Sequence, residues 1–74
     1  MRGWRRAPWQ AYVDDLGRMP KGSTERGIAD YITGPVGPDQ IDVYLEQLMR
    51  ENPENNRAHE IAWEIWTLMH GRVA

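Results

Sequence analysis

Apolar residues recur every three or four positions along most of the chain, which is the spacing of one face of a helix. This pattern predicts four helices, over residues 8–16, 24–33, about 38–51, and from about 54 or 56 to 70. Proline and glycine are concentrated between these stretches, where they favour turns. No stretch alternates apolar and polar residues over a useful length. The sequence therefore predicts an all-α fold, a small bundle of three to four short helices.

The predicted core lies on the apolar stripes of these helices. The stripes comprise Trp9, Tyr12, Val13 and Leu16 on the first helix, Ile28, Tyr31 and Ile32 on the second, Ile41, Tyr44, Leu45, Leu48 and Met49 on the third, and Ala58, Ile61, Ala62, Ile65, Leu68 and Met69 on the fourth. Val43 points away from the stripe of the third helix. The connection between the third and fourth helices is short, so we expect an antiparallel hairpin there.

The fourth helix carries a second row of large side chains beside its core stripe. His59, Trp63, Trp66 and His70 are spaced by four, three and four residues, so they line up on one face. One interpretation is that the first helix or the N-terminal segment packs over this row and makes it a second core face. The alternative is that Trp63 stays exposed as an anchor for a partner, because tryptophan is enriched at interface hot spots.

Residues 1–7 show no helical periodicity, and we expect a flexible basic segment ahead of a helical body over residues 8–70. The candidate contact residues in and next to this segment are Arg2, Trp4, Arg5, Arg6 and Trp9. Guanidinium groups pair with carboxylates or phosphates and stack on aromatic rings. This combination suits an acidic protein groove or a nucleic-acid backbone with an exposed base. The other interpretation is a solvated tail in which the tryptophans pack onto the helices; Trp9 is expected to be anchored in either case.

The composition limits which classes of protein and which kinds of site are possible. The 74 residues are enough for one small domain with a thin core, and there is no cysteine to form a disulfide or a thiolate ligand. Four Trp and three Tyr with no Phe suit a core with an amphipathic rim. No apolar run approaches the about 20 residues of a membrane span, and no signal peptide is visible. We therefore expect a cytoplasmic protein that makes no membrane contact.

The net charge of −2 conceals an asymmetry between the two ends of the chain. Residues 1–26 carry six bases and three acids, a net charge of +3, whereas residues 27–74 carry three bases and eight acids, a net charge of −5. Such an asymmetry is typical of an interaction segment attached to a folded body. Direct nucleic-acid binding is a secondary expectation because the body is acidic.

Catalysis and cofactor binding are not expected. The sequence has no glycine-rich phosphate loop, no nucleophile elbow and no cysteine. About 16 Å of helix rise separates His59 from His70, too far for the two to share a metal ion. We therefore expect a binding protein that is not an enzyme and that uses no cofactor, no metal and no small-molecule substrate.

In its length, its lack of cysteine and its basic tip, the chain resembles small phage-encoded proteins that take over host machinery. The residues that carry the resemblance are Trp4, Arg5, Arg6 and Trp9 within Met1–Trp9. Two groups are similar in this way. One comprises phage regulators that bind bacterial RNA polymerase, block initiation and can promote antitermination; the other comprises anti-CRISPR proteins that bind surveillance complexes.

The resemblance implies an inhibitor or adaptor that docks on a host protein complex in the bacterial cytoplasm, with RNA polymerase as the favoured partner. The contact residues expected on this interpretation are Arg2, Trp4, Arg5, Arg6, Trp9 and Trp63. Two alternatives stay open beside it. One is direct binding to nucleic acid, and the other is a homodimer formed through the second row of the fourth helix.

Overall fold

Four α-helices follow one another in the computed structural model, which describes residues 7–71. They are α1 (Pro8–Leu16), α2 (Thr24–Thr33), α3 (Ile41–Glu51) and α4 (Arg57–His70). Between residues 7 and 71 there is no strand, so the predicted all-α fold is confirmed. Within the same range no helix is long and apolar enough to cross a membrane.

Local chemistry sets where the helices begin. Pro8 occupies the first turn of α1, where its missing N–H leaves no hydrogen bond unmade. The hydroxyl of Ser23 accepts a hydrogen bond from the backbone N–H of Arg26 at 3.1 Å and caps α2. The side-chain oxygen of Asn56 accepts from the N–H of Ala58 at 2.8 Å and caps α4. The predicted bounds of α1 and α2 are confirmed, and α4 begins at residue 57.

The third helix begins later than predicted. Residues Pro38–Gln40 form a single 3-10 turn, and the α-helix starts at Ile41. The N–H of Gln40 donates to the carbonyl of Gly37 at 2.9 Å, which closes this tighter turn. Pro38 therefore starts a helical turn, as predicted, but of the 3-10 kind.

The core centres on the α3–α4 hairpin. Leu45, Ile61 and Ile65 are wholly buried, and all three come from these two helices. The other buried residues are Val13 and Leu16 of α1, Ile28, Ala29 and Ile32 of α2, Ile41 of α3 and Ala62 of α4. α1 and α2 therefore pack against the α3–α4 hairpin and complete the core.

One predicted core residue lies at the surface. Tyr31 is 53% exposed, and Ala29 is the additional buried position of α2. The Tyr31 ring stacks on Tyr44 of α3, with ring centroids 5.6 Å apart and planes 14° from parallel. This stacking lets the ring cover its neighbour while remaining accessible to water. Val43, predicted to point outward, is 58% exposed.

Candidate functional site

His59 ties the first turns of α4 to the end of α3. Its Nδ1 lies 3.2 Å from the carbonyl oxygen of Met49 and 3.0 Å from that of Asn52. Carbonyl oxygens only accept hydrogen bonds, so Nδ1 carries the hydrogen and donates to both. In a continuing helix the Met49 carbonyl would accept from residue 53, but Pro53 has no N–H. His59 therefore replaces a donor that the backbone cannot supply.

His70 makes the corresponding contact at the other end of the row. Its Nε2 lies 3.2 Å from Oδ1 of Asp42, in the first turn of α3, and its ring centroid is 4.1 Å from that of Trp66. The end of α3 thus meets the start of α4, and the start of α3 meets the end of α4. The predicted antiparallel hairpin is confirmed.

Trp63 lies on the same face of α4 between these two contacts. It is 54% exposed. Its ring stacks on that of Trp66, with centroids 6.1 Å apart and planes 9° from parallel. Trp66 is partly buried against the core. The exposed indole of Trp63 therefore stacks on a side chain that is itself packed in the fold.

α3 meets this row, because His59 and His70 both contact α3. The predicted cover was α1 or the N-terminal segment, and residues 1–6 of that segment lie outside the described residues. α1 packs on another side of α4, where Tyr12 is near enough to Arg57 and Glu64 for their charges to affect its pKa. Burial is the main cause that raises the pKa of Tyr12. Trp63 itself remains more than half exposed.

A groove of about 430 Å³ adjoins Trp63. It is lined by Met49, Glu54, His59, Glu60 and Trp63. These residues come from the end of α3, the connection and the first turns of α4. We call this set the Trp63 groove. Its walls combine an indole and a thioether with two carboxylates and an imidazole.

Arg57, at the start of α4, forms ion pairs with two carboxylates. Arg57 Nε lies 2.9 Å from Glu25 Oε2 of α2, and Arg57 Nη1 lies 3.1 Å from Glu60 Oε1. The hydrogen bond from Arg57 lowers the pKa of Glu25, and the hydrogen bond to Glu25 is the main cause that raises the pKa of Arg57. Arg57 therefore links α2 to the edge of the groove and is itself already paired.

Two of the predicted contact residues, Trp9 and Trp63, lie in different grooves. Trp9 packs partly buried against the core from α1, which agrees with its expected anchoring. It lines a second groove of about 470 Å³ with α2, the following turn and the end of α4, whereas Trp63 lines the groove at the α3–α4 connection. Four of the predicted contact residues, Arg2, Trp4, Arg5 and Arg6, lie outside the described residues.

Sequence reasoning missed the residues that complete the Trp63 groove. Met49 was predicted to belong to the core stripe of the third helix, and Glu54 to the connection or to the start of the fourth helix. The predicted hairpin does contain the signal, since an antiparallel turn brings the last residues of α3 beside the first turn of α4. Among residues 7–71, no group of three or more His, Cys, Asp or Glu side chains could hold a metal ion.

No protein-family model matches the chain, and neither a curated protein nor a solved structure matches it.

Proposed function

We propose that this chain is a non-catalytic binding protein that docks on another protein through the exposed face of Trp63. The observation that carries the proposal is that Trp63 is 54% exposed while its ring is stacked on a packed tryptophan. A side chain that is already ordered loses little conformational entropy on binding. Rigid aromatic side chains beside a groove are typical of interface hot spots.

The basic N-terminal residues form the second part of the proposed contact. Arg2, Trp4, Arg5 and Arg6 precede α1, and Trp9 anchors that helix in the body. The charge of +3 on residues 1–26 supports attraction to an acidic surface, because complementary charge speeds encounter. The two contacts differ in chemistry, so their effects can be measured separately.

The partner we propose first is bacterial RNA polymerase, with the chain acting as a phage-encoded inhibitor or adaptor in the host cytoplasm. Support for this choice is the resemblance in size, cysteine content and the residues of Met1–Trp9. An anti-CRISPR surveillance complex is the alternative partner from the same resemblance. Both partners would engage a small helical body that carries a basic tip.

The test is co-purification of purified RNA polymerase with the tagged chain and with three variants. Trp63→Ser is expected to reduce capture at least tenfold, a typical hot-spot loss of roughly 1.4 kcal/mol or more. Val43→Ser is the control, because Val43 is similarly exposed at 58% but lies on α3 away from the groove. Capture that is unchanged in Trp63→Ser would contradict the role of Trp63.

The third variant combines Arg5→Glu with Arg6→Glu. It is expected to abolish capture without changing helicity measured by circular dichroism, since both residues precede the first helix. A mobility-shift assay at low salt examines the nucleic-acid alternative. Binding to nucleic acid at low salt that falls steeply as salt rises would support this alternative, because phosphate contacts release counterions. No binding at low salt would eliminate it.

A further inference from the structure

The Trp63 groove combines an aromatic wall, hydrogen-bond acceptors and negative charge. This combination suits one kind of side chain. Resting on the proposed function, we infer that the groove receives an arginine side chain from a segment of the partner protein. Its guanidinium would stack on the indole of Trp63 and donate hydrogen bonds to Glu54, Glu60 and His59.

The side chain of Trp63 lines the groove. Trp66 follows Trp63 by about one helical turn and stacks on it, whereas His59 and Glu60 precede it by about one turn and line the groove. The ring therefore lies between its stacking partner and the groove. A tryptophan face is the best aromatic surface for a cation, and arginine stacks on it with its planar guanidinium.

The polar groups of the groove are all acceptors. Glu54 has no hydrogen bond or ion pair within residues 7–71. Glu60 gives only Oε1 to Arg57. Nδ1 of His59 donates to two carbonyls, so in an uncharged ring Nε2 is the acceptor. A guanidinium offers five donors and no acceptor, which complements this set.

The same charges favour a protein partner over a nucleic acid at this groove. Phosphates would meet the carboxylates of Glu54 and Glu60 and be repelled. The neighbouring cation, Arg57, is engaged by Glu25 at 2.9 Å and by Glu60 at 3.1 Å, so its charge is already paired. Met49 adds apolar surface that suits the methylene stem of a long basic side chain.

The test uses the full chain and two capped tripeptides, N-acetyl-Leu-Arg-Leu amide and its citrulline analogue, at matched ionic strength. Citrulline has nearly the same shape as arginine but no charge. Binding is followed by NMR from the backbone amide signals of His59 and Glu60, which line the groove and are present in every variant. The arginine peptide is expected to bind roughly fivefold to twentyfold more tightly, from one cation–π contact and one or two exposed ion pairs.

Two charge variants make the test specific. Glu54→Gln is expected to reduce the preference for arginine at least about twofold, the size of one exposed ion pair. Glu51→Gln is the matched control, because Glu51 lies near Glu54 in the chain but lines a different groove with Tyr31 and Tyr44. Trp63→Leu is expected to remove most of the remaining preference.

Equal binding of the two peptides, no binding of either, or a preference that survives both Glu54→Gln and Trp63→Leu would overturn the inference. These results are distinct from a failure of the proposed function. If polymerase capture depends on Trp63 but the peptides fail, only the arginine assignment is wrong. If capture does not depend on Trp63, the docking role itself is wrong.

Discussion

Nδ1 of His59 donates to the carbonyl oxygen of Met49, 3.2 Å away, and so joins the first turn of α4 to the last turn of α3. The carbonyl is one that Pro53 leaves without its helical donor. The same histidine ring lines the Trp63 groove. A contact that closes a helix end therefore also fixes one wall of the candidate site.

Replacing this histidine should destabilise the hairpin. His59→Ala leaves two partly buried carbonyls without their donor, and we expect a loss of about 1–2 kcal/mol in the free energy of unfolding. Urea denaturation followed by circular dichroism measures it. Arg18→Ala is the control, because its ion pair with Asp15 is highly exposed and contributes little. Similar losses in the two variants would contradict the role assigned to His59.

The start of α4 offers a matched pair of adjacent asparagines. Asn56→Ala removes the cap on the N–H of Ala58 and should cost about 1 kcal/mol of stability. Asn55→Ala changes the same residue type one position earlier, outside the cap, and should stay within about 0.5 kcal/mol of the native chain. Thermal unfolding of both variants tests the difference, and equal shifts in Tm would show that Asn56 is not the cap.

Most of the fold follows from periodicity and turn chemistry. The stripe of α4 predicts its three buried positions, Ile61, Ala62 and Ile65. Tyr31 was misplaced because helical spacing alone cannot decide which edge of a stripe faces the core. The 3-10 turn before α3 also escaped prediction, since proline at a helix start fits either kind of turn.

The candidate site was predictable only in part. The row that contains Trp63 follows from spacing within one helix. The helix that covers that row depends on tertiary packing, and α3 meets it through His59 and His70. The groove also needs Glu54, whose place is set by the path of the connection. Spacing within a single helix carries no information about that path.

The Glu25–Arg57 ion pair makes the free energy of unfolding depend on pH. Arg57 lowers the pKa of Glu25 in the folded chain, so the stability from this carboxylate is present above its unfolded pKa, about 4.3. That stability is lost as pH falls through the lower folded pKa. Urea midpoints at about pH 7 and about pH 3 should therefore differ less in Glu25→Gln than in the native chain. In an Arg57→Ala background, Glu25→Gln should have little further effect on this difference. If Glu25→Gln reduced the difference between the two urea midpoints equally in the Arg57→Ala background, the two residues would not be coupled.

Two aliphatic residues of α3 test the location of the core. Leu45 is wholly buried and Val43 is 58% exposed. Leu45→Ala should cost about 2–5 kcal/mol, because it removes buried methyl groups and leaves a cavity. Val43→Ala should change stability by less than about 0.5 kcal/mol. Urea denaturation compares the two, and a large loss from Val43→Ala would place the α3 stripe on the wrong face.

The last prediction concerns Trp66, the residue on which Trp63 stacks. Nε1 of Trp66 is buried and has no hydrogen-bond partner in the part of the chain that the structure describes. Trp66→Phe removes this unsatisfied donor, which returns about 1–3 kcal/mol and offsets much of the lost packing. We therefore expect a net loss below about 1.5 kcal/mol, whereas Trp66→Ala should cost roughly 3 kcal/mol or more. Denaturation of both variants decides the matter. A Phe variant as unstable as the Ala variant would show that the indole nitrogen has a partner in the folded chain.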